Sequence, residues 1–481
     1  MTSINEIFEE ILSKIVPTNQ ELDLINQIVE KLKYLLNNKA QALNIKYVSI
    51  EPQGSTGIKQ TQLKNDFDID LFIGLDYNQY KQKYTDLTKN QFKKESKNDF
   101  LKLCNDWIIK SLESKEFLNP RILYAEHPYV SVDYFTSNIK LKIDIVLHFD
   151  LDLDFIKKNG PKTAVDRSPW HGRFIRDSLT PDQKNDVRLL KQFFKACHSY
   201  GDKSAVGKVG FIGYSAELLI YHFKSIENCF KDFYTIKDIA LDYYGRSKTD
   251  LQKILHFQND FLIIIDPIDK NRNVGSAISD KAYNYVNLRI KQFIDNPSKD
   301  FFEIHDIPEI KPDGLDKFFI VECKNKDQNV HYTICRDKLY SLGDIITTNG
   351  EKEYSHANRF GKIVFEVYFE DKINQYNLAI YCDKPIISET YLRRGPLIAE
   401  KKHAEKFKKS NPNYIEKDKY LWVETKREYS KFLDFLNFVE QRISDKLEVI
   451  NISNAKNAKN ASGKKAIYVL KNMVLPFYLK L

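Results

Sequence analysis

The sequence predicts an α+β multidomain protein, with a mixed α/β N-terminal region, a helical centre and a mixed α/β C-terminal region. Three observations predict this. Short β-rich runs (YVSIEP, FDIDLFIGL, LKIDIVLHF) alternate with a Lys-rich helical segment around 91–115 in the first third of the chain. From about 156 to 280 helical spacing dominates, and strand-like runs return after 281. A length of 481 residues suits two to four domains rather than one. No long Pro/Gly linker marks the borders, which we draw at 1–155, 156–280 and 281–481.

Residues 1–45 read as two helices. Ile4, Ile7, Phe8, Ile11, Leu12 and Ile15 recur at helical spacing, Pro17-Thr18 breaks the pattern, and Thr18 with Glu21 offers a capping box to the next helix. In the centre, DVRLLKQFFKACHSYG gathers Leu189, Leu190, Phe193 and Phe194 on one face and stops at Gly201; GYSAELLIYHFKS behaves likewise. Beyond 281, FFIVEC, HYTIC, IVFEVYF and LAIYCD read as strands and EYSKFLDFLNFVEQRISDKLEVI as helical. NISNAKNAKNASGKKA, 451–466, is polar and low in complexity and reads as a mobile loop.

Composition excludes several classes. The start, MTSINEIFEEILSKIV, is amphipathic and acidic, unlike a signal peptide, and no run of about 18 apolar residues is long enough to span a membrane. The six cysteines (Cys104, Cys197, Cys229, Cys323, Cys335, Cys382) are scattered with no C-x-x-C pair, as expected of reduced thiols in a cytoplasmic protein. Lys plus Arg number 74 against 66 Asp plus Glu, a net +8 that is informative only where it clusters.

Chemistry is concentrated in GSTGIKQTQLKNDFDIDLFI, residues 54–73. With a strand period of two, Asp68 and Asp70 emerge on one face while Phe67, Ile69, Leu71 and Ile73 take the other. Carboxylates about 6 to 7 Å apart along a strand repel unless a cation lies between them. Mg²⁺ prefers such oxygens, and a pair of ions about 4 Å apart suits phosphoryl transfer. An edge strand with both acids in solvent accounts for the Asp-x-Asp equally well. Two further features favour the cation. Asp144 sits in LKIDIVL, opposite Leu141, Ile143 and Ile145, and Gly54-Ser55 precedes the acids where backbone amides and a hydroxyl suit a phosphate.

Gly-Ser, then Asp-x-Asp, then an Asp on a neighbouring strand resembles the nucleotidyltransferase fold of the polymerase-beta superfamily. Four further stretches follow in order: TAVDRSPWHGRF, DVRLLKQFFKACHSYG, GFIGYSAELLIYHF and IDPIDKNRNV. Together they are similar to the archaeal-type (class I) CCA-adding enzymes, tRNA nucleotidyltransferases, through most of residues 1–300. The resemblance implies addition of C, C and A to the tRNA 3′ end from CTP and ATP, without a nucleic-acid template. It implies two Mg²⁺ ions on Asp68, Asp70 and Asp144, Asp144 also lying on the side of the attacking hydroxyl, and a homodimer. Gly54 and Ser55 would hold nucleotide phosphates, Lys191 and Tyr200 the triphosphate, and Ser168 and His171 the sugar and phosphates. His127 would lie near the ribose and primer end, and Arg272 would read the base edge.

Each of these residues has a plainer reading. A lone Lys191 on a helix commonly faces solvent, Ser168 before Pro is ordinary turn chemistry, and His171 suits a packed loop. Arg272 has Asp266 and Asp269 within reach for a salt bridge. The family carries G-S-x-x-R-x-T-x-L, whereas this chain has GSTGIKQTQL, so one extra residue places Lys59 at the Arg position, with charge but no planar fork. A poly(A)- or oligoadenylate-type nucleotidyltransferase shares all of this chemistry.

Between 393 and 409 seven basic residues face two acids. Arg393, Arg394, Lys401, Lys402, His403 and Lys406, with Tyr391, Phe407 and Tyr414 nearby, suit phosphate contacts and stacking. A solvated basic helix is the plainer account. The resemblance implies contacts to the acceptor stem and T arm, duplex RNA being read largely by shape.

Overall fold

The computed structural model describes residues 3–66, 68–124, 127–135, 140–327, 330–353, 357–443 and 445–479. The chain divides into two compact units: residues 1–196 with 211–277 and 289–303, and residues 197–210 with 278–288 and 304–481.

The first unit opens with helices Ile4–Ile15 and Asn19–Ala42, each started by a complete capping box, Ser3 with Glu6 and Thr18 with Glu21. The second helix buries Ile25, Ile28, Val29, Leu32, Leu36 and Ala40, a stripe at helical spacing, in the core of a five-stranded sheet. The strands are β1 (Ser49–Gln53), β2 (Ile69–Asp76), β3 (Phe117–Tyr124), β4 (Pro128–Phe135) and β5 (Lys140–Asp150), in the order β1-β2-β5-β4-β3. Only the central β2–β5 pair is parallel. On β5, Leu141, Ile143, Ile145, Leu147 and Phe149 are buried, and Phe149 packs against Tyr77, Tyr80, Tyr84, Phe92 and Phe100.

The structure begins β2 at Ile69, one residue beyond Asp68; Phe67, expected on the apolar face, lies outside the described residues. The Lys-rich segment is a helix over Lys89–Leu103 that widens into a π turn at Cys104–Ile108. Strand β3 carries no clean alternation in the sequence, because it bulges between Leu118 and Arg121, with Asn119 at φ 51°. Further along are helices Ser168–Ser178, Pro181–Ala196 and Gly213–Phe223, and a short parallel pair, β6 (Ala240–Leu241) with β7 (Ile263–Ile264).

The second unit is built on an antiparallel sheet of β8 (Phe318–Asn325), β9 (Ile363–Glu370), β10 (Gln375–Cys382) and β14 (Leu447–Asn454), ordered β14-β8-β10-β9. Both faces are covered. Phe319, Val321, Leu378 and Ile380 pack with Leu339, Ile346 and Phe435 of helices Tyr332–Glu351 and Phe432–Val439. Phe318, Ile320, Ala379 and Tyr381 pack with Ala466, Ile467 and Leu470. Burial on two sides is why these strands read as nearly continuous apolar runs. A small sheet, β11 (Thr390–Leu397), β12 (Ile415–Lys417) and β13 (Tyr420–Lys426), has the order β11-β13-β12.

Three sequence expectations are corrected here. EYSKFLDFLNFVEQRISDKLEVI is helical over Phe432–Val439 and Glu440–Ile443, but its last residues, from Leu447, enter β14. HYTIC is not a strand but the start of helix Tyr332–Glu351, whose buried Cys335, Leu339, Leu342 and Ile346 show the helical period over a longer window. The stretch 451–466 is not a mobile loop: it contains the end of β14, a 3₁₀ turn at Ala455–Asn457 and the start of helix Ala461–Val469. Its polar groups serve the fully buried Glu322, which accepts hydrogen bonds from Asn451 Nδ2 (2.6 Å), Lys459 N (2.9 Å) and Asn460 N (2.9 Å). Low complexity here reflects satisfaction of a buried carboxylate rather than solvation.

Candidate active site

Parallel pairing of β2 with β5 sets Asp70 directly beside Asp144. The strand period places Asp70 and Phe72 on the same face as Asp144 and Val146, away from the apolar core. Burial, then the charges of Asp144 and Asp68, push the Asp70 carboxyl up to about 7. Asp68 stands exposed just before the strand, its carboxyl also raised, by partial desolvation first and the charge of Asp144 second. Lys142 Nζ lies 2.7 Å from Asp144 Oδ2, while Asp144 Oδ1 is buried with no hydrogen-bond partner.

Two adjacent carboxylates, one carrying an unsatisfied oxygen and the other with its ionisation suppressed by burial and by its acidic neighbours, fit a divalent cation. Among the described residues no three acidic, His or Cys side chains close into a cage that could hold a metal ion alone. Mg²⁺ does not require one, since it is commonly held by one or two carboxylates together with substrate phosphates and water.

A cavity of about 400 Å³ opens over this pair. Its lining includes eight of the residues singled out from the sequence: Gly54, Lys59, Asp70, His127, Asp144, Ser168, His171 and Arg272. They come from the Gly-Ser turn, β2, the start of β4, β5, helix Ser168–Ser178 and the turn after β7. His127 is nearly buried, its ring 5.3 Å from that of Phe100. Ser55, half-buried beside Gly54, is not part of the lining; its carbonyl accepts a hydrogen bond from Thr61 N at 3.0 Å. Tyr200 belongs to the second compact unit.

Lys191 is placed differently from both sequence readings, facing neither solvent nor the cavity. Its ammonium is buried and donates to Thr61 O (3.0 Å), Thr61 Oγ1 (2.9 Å) and Glu217 Oε1 (3.2 Å). Glu217 also receives Lys59 Nζ at 2.7 Å and Thr61 Oγ1 at 2.6 Å. Burial alone would raise the Glu217 carboxyl, but the two lysines overcome it and hold the value down to about 2. Arg188 grips the same loop through the carbonyls of Gln62 (3.0 Å) and Gln60 (2.7 Å). Gln60, at φ 55°, follows Lys59 in a left-handed turn, and Lys59 stands at the cavity wall. Sequence reasoning missed Glu217 and Arg188. A Glu inside the apolar run AELLI was the available signal, because such a residue is rarely buried without a cationic partner.

A model of the tRNA nucleotidyltransferase second domain matches residues 185–303. A CCA-adding enzyme of Methanocaldococcus jannaschii is 29% identical over 94% of this chain and 93% of its own length. Along nearly its whole length the chain is similar to the CCA-adding enzymes. Another CCA-adding enzyme, from Thermoplasma volcanium, is 33% identical over 64% of this chain and 61% of its own length. Among solved structures, a Cid1 poly(U) polymerase overlaps 62% of this chain and 98% of its own at 12% identity, with a TM-score of 0.46.

The basic residues between 393 and 406 are held unequally. Arg393 and Arg394 lie on β11, and Lys401, Lys402, His403 and Lys406 on helix Lys401–Ser410. Arg393 is built into the small sheet: its guanidinium lies 5.2 Å from the Phe407 ring and donates to Thr425 Oγ1 (3.3 Å) and Asn411 Oδ1 (3.1 Å). Arg394 sits over Tyr420 at 4.8 Å, and the three lysines and His403 are exposed. Among the described residues no helix is long and apolar enough to cross a membrane.

Proposed function

We propose that the protein adds C, C and A to the 3′ end of tRNA from CTP and ATP, without a nucleic-acid template, and releases pyrophosphate. The observation that carries this reading is the Asp70–Asp144 pair sharing one cavity with Lys59 and Arg272. Asp70 and Asp144, with Asp68 at the rim, would hold divalent cations, two Mg²⁺ in this reading, which lower the pKa of the attacking hydroxyl and offset charge on the leaving oxygen. The remaining steps fall to the protein's own groups. Gly54 and Ser55 bring backbone amides and a hydroxyl to the phosphates, and Lys59 adds positive charge beside them. Lys191, Arg188 and Glu217 keep that loop in place. Ser168 and His171 line the wall where the sugar would lie, His127 faces the primer end, and Arg272 presents donors to the base.

In this reading residues 1–155 carry the chemistry, residues 156–280 hold the nucleotide, with Tyr200 at the triphosphate, and residues 281–481 bind tRNA. Lys401, Lys402, His403, Lys406 and Arg394 would meet the acceptor stem and T arm, and the active protein would be a cytoplasmic homodimer.

The experiment is incubation with a tRNA lacking CCA, then with one lacking only the terminal A, in the presence of CTP, ATP and Mg²⁺. Sequencing of the product should show CCA and a stop after A. A homopolymeric A tail would move the protein to the poly(A) class, and no extension would overturn the reading.

A further inference from the structure

Asp266 is fully buried, and its two oxygens receive four donors. Arg272 Nη1 lies 2.9 Å and His171 Nε2 2.7 Å from Oδ2, while the Tyr214 hydroxyl donates to Oδ1 at 3.1 Å and Ile268 N at 2.9 Å. A carboxylate only accepts, so His171 carries its proton on Nε2 toward Asp266. His171, Tyr214 and Arg272 all line the cavity, and they come from three separate segments of the chain. The backbone closes the same turn: Asp266 N donates to Arg272 O and Arg272 N to Asp269 O, both at 3.0 Å.

We infer that Asp266 is a positioning residue for base selection, which aims the Arg272 guanidinium into the cavity. The inference rests on the proposed nucleotidyl transfer. A guanidinium is a rigid plane of five donors, so fixing one Nη by a buried carboxylate fixes the direction of the others. The acid side of the pair is closed to solvent, whereas the Arg272 side chain keeps 29% of its exposure. Without that carboxylate, Arg272 would lie near a second cation, Arg167, itself paired with Asp269 at 3.0 Å, and would be free to turn away. The Asp266 carboxyl stays well below its ordinary range because His171, Arg272 and the hydrogen bonds outweigh desolvation, while burial lowers His171 against the pull of Asp266.

A fixed donor fork selects by chemistry. Cytosine and adenine each present an unprotonated ring nitrogen on the pairing edge, an acceptor for an Arg N–H. Uracil and guanine place an N–H there, which opposes the same donor. A mobile fork loses that distinction, because it can reach the carbonyl oxygens of uracil or guanine instead.

The test is steady-state kinetics on a tRNA lacking CCA with CTP and, separately, UTP, for the wild-type protein, Asp266→Asn and Asp266→Glu, each checked for folding by thermal melting. Asp266→Asn should raise KM for CTP about tenfold or more and narrow the CTP:UTP ratio of kcat/KM by a similar factor, while kcat at saturating CTP falls less than threefold. A folded Asp266→Asn protein with an unchanged CTP:UTP ratio overturns the inference. Should that variant fail to fold, Asp266→Glu decides: it keeps the charge but shifts the carboxylate by one methylene, so the ratio narrows at least threefold if Asp266 aims Arg272, and a ratio within twofold of wild type overturns it. Wild-type protein that fails to add C and A sinks the proposed function itself; unchanged selection in a folded variant, with wild type active, sinks only this inference.

Discussion

A methyl group on Gly54 would lie 2.4 Å from Asp70 Oδ2, closer than any real contact allows. Gly54 also sits at φ +69°, where an L side chain is strained. The turn therefore seats directly against the Asp70 carboxylate. Gly54→Ala should cost about 1–2 kcal/mol of stability from backbone strain and displace Asp70. The expected result is a folded protein, by circular dichroism, with nucleotide incorporation reduced by more than an order of magnitude. Wild-type rates in Gly54→Ala would mean that Asp70 is not where the chemistry occurs.

Asp70→Ala removes the buried half of the carboxylate pair. Nucleotide incorporation should fall at least about a thousandfold, several kcal/mol of barrier, while tRNA binding in a filter or gel-shift assay stays nearly unchanged. Parallel loss of tRNA affinity would point to a structural role instead.

Asp186 supplies a pH test away from the cavity. It is half-buried on helix Pro181–Ala196, and burial, followed by the charge of Glu227, pushes its carboxyl up to about 7 from an ordinary value near 3.8. A raised acid favours the protonated folded state, so its ionisation burdens the fold fully above pH about 7 and not at all below 3.8. Asp186→Asn should raise the melting midpoint at pH 8, with the difference shrinking as pH falls through 7 and vanishing near pH 4. An equal shift at both ends of that range would contradict the assignment.

The exposed lysines of helix Lys401–Ser410 should behave as phosphate contacts. Replacing Lys401, Lys402 and Lys406 together by Ala should weaken tRNA binding and make the slope of log affinity against log salt shallower by about 2 to 3. Arg393→Ala should act differently, lowering the melting midpoint, because its guanidinium braces Phe407, Thr425 and Asn411.

Much of the cavity lining was legible because its residues lie close together in sequence. Asp-x-Asp and Gly-Ser lie within one short stretch, and strand periodicity alone put Asp144 opposite the apolar side of β5. What stayed hidden depends on long-range partners. Lys191 reads as a surface lysine until Glu217 and Thr61 are brought to it, and Arg272 reads as either a base contact or a salt bridge until the fold brings its guanidinium to the buried Asp266. The stretch 451–466 was misread because the group it satisfies, Glu322, lies well over a hundred residues earlier. Polarity signals solvation only when no buried partner is waiting.

That last clamp has a consequence for biosynthesis. Helix Ala461–Val469 roofs one face of the β14-β8-β10-β9 sheet, and Glu322 on β8 gains its backbone donors only when residues 459 and 460 arrive. While the ribosome is still making that segment, the nascent second unit presents a bare apolar face with an unmated carboxylate in its centre. The second unit can therefore complete its core only once this helix has left the exit tunnel.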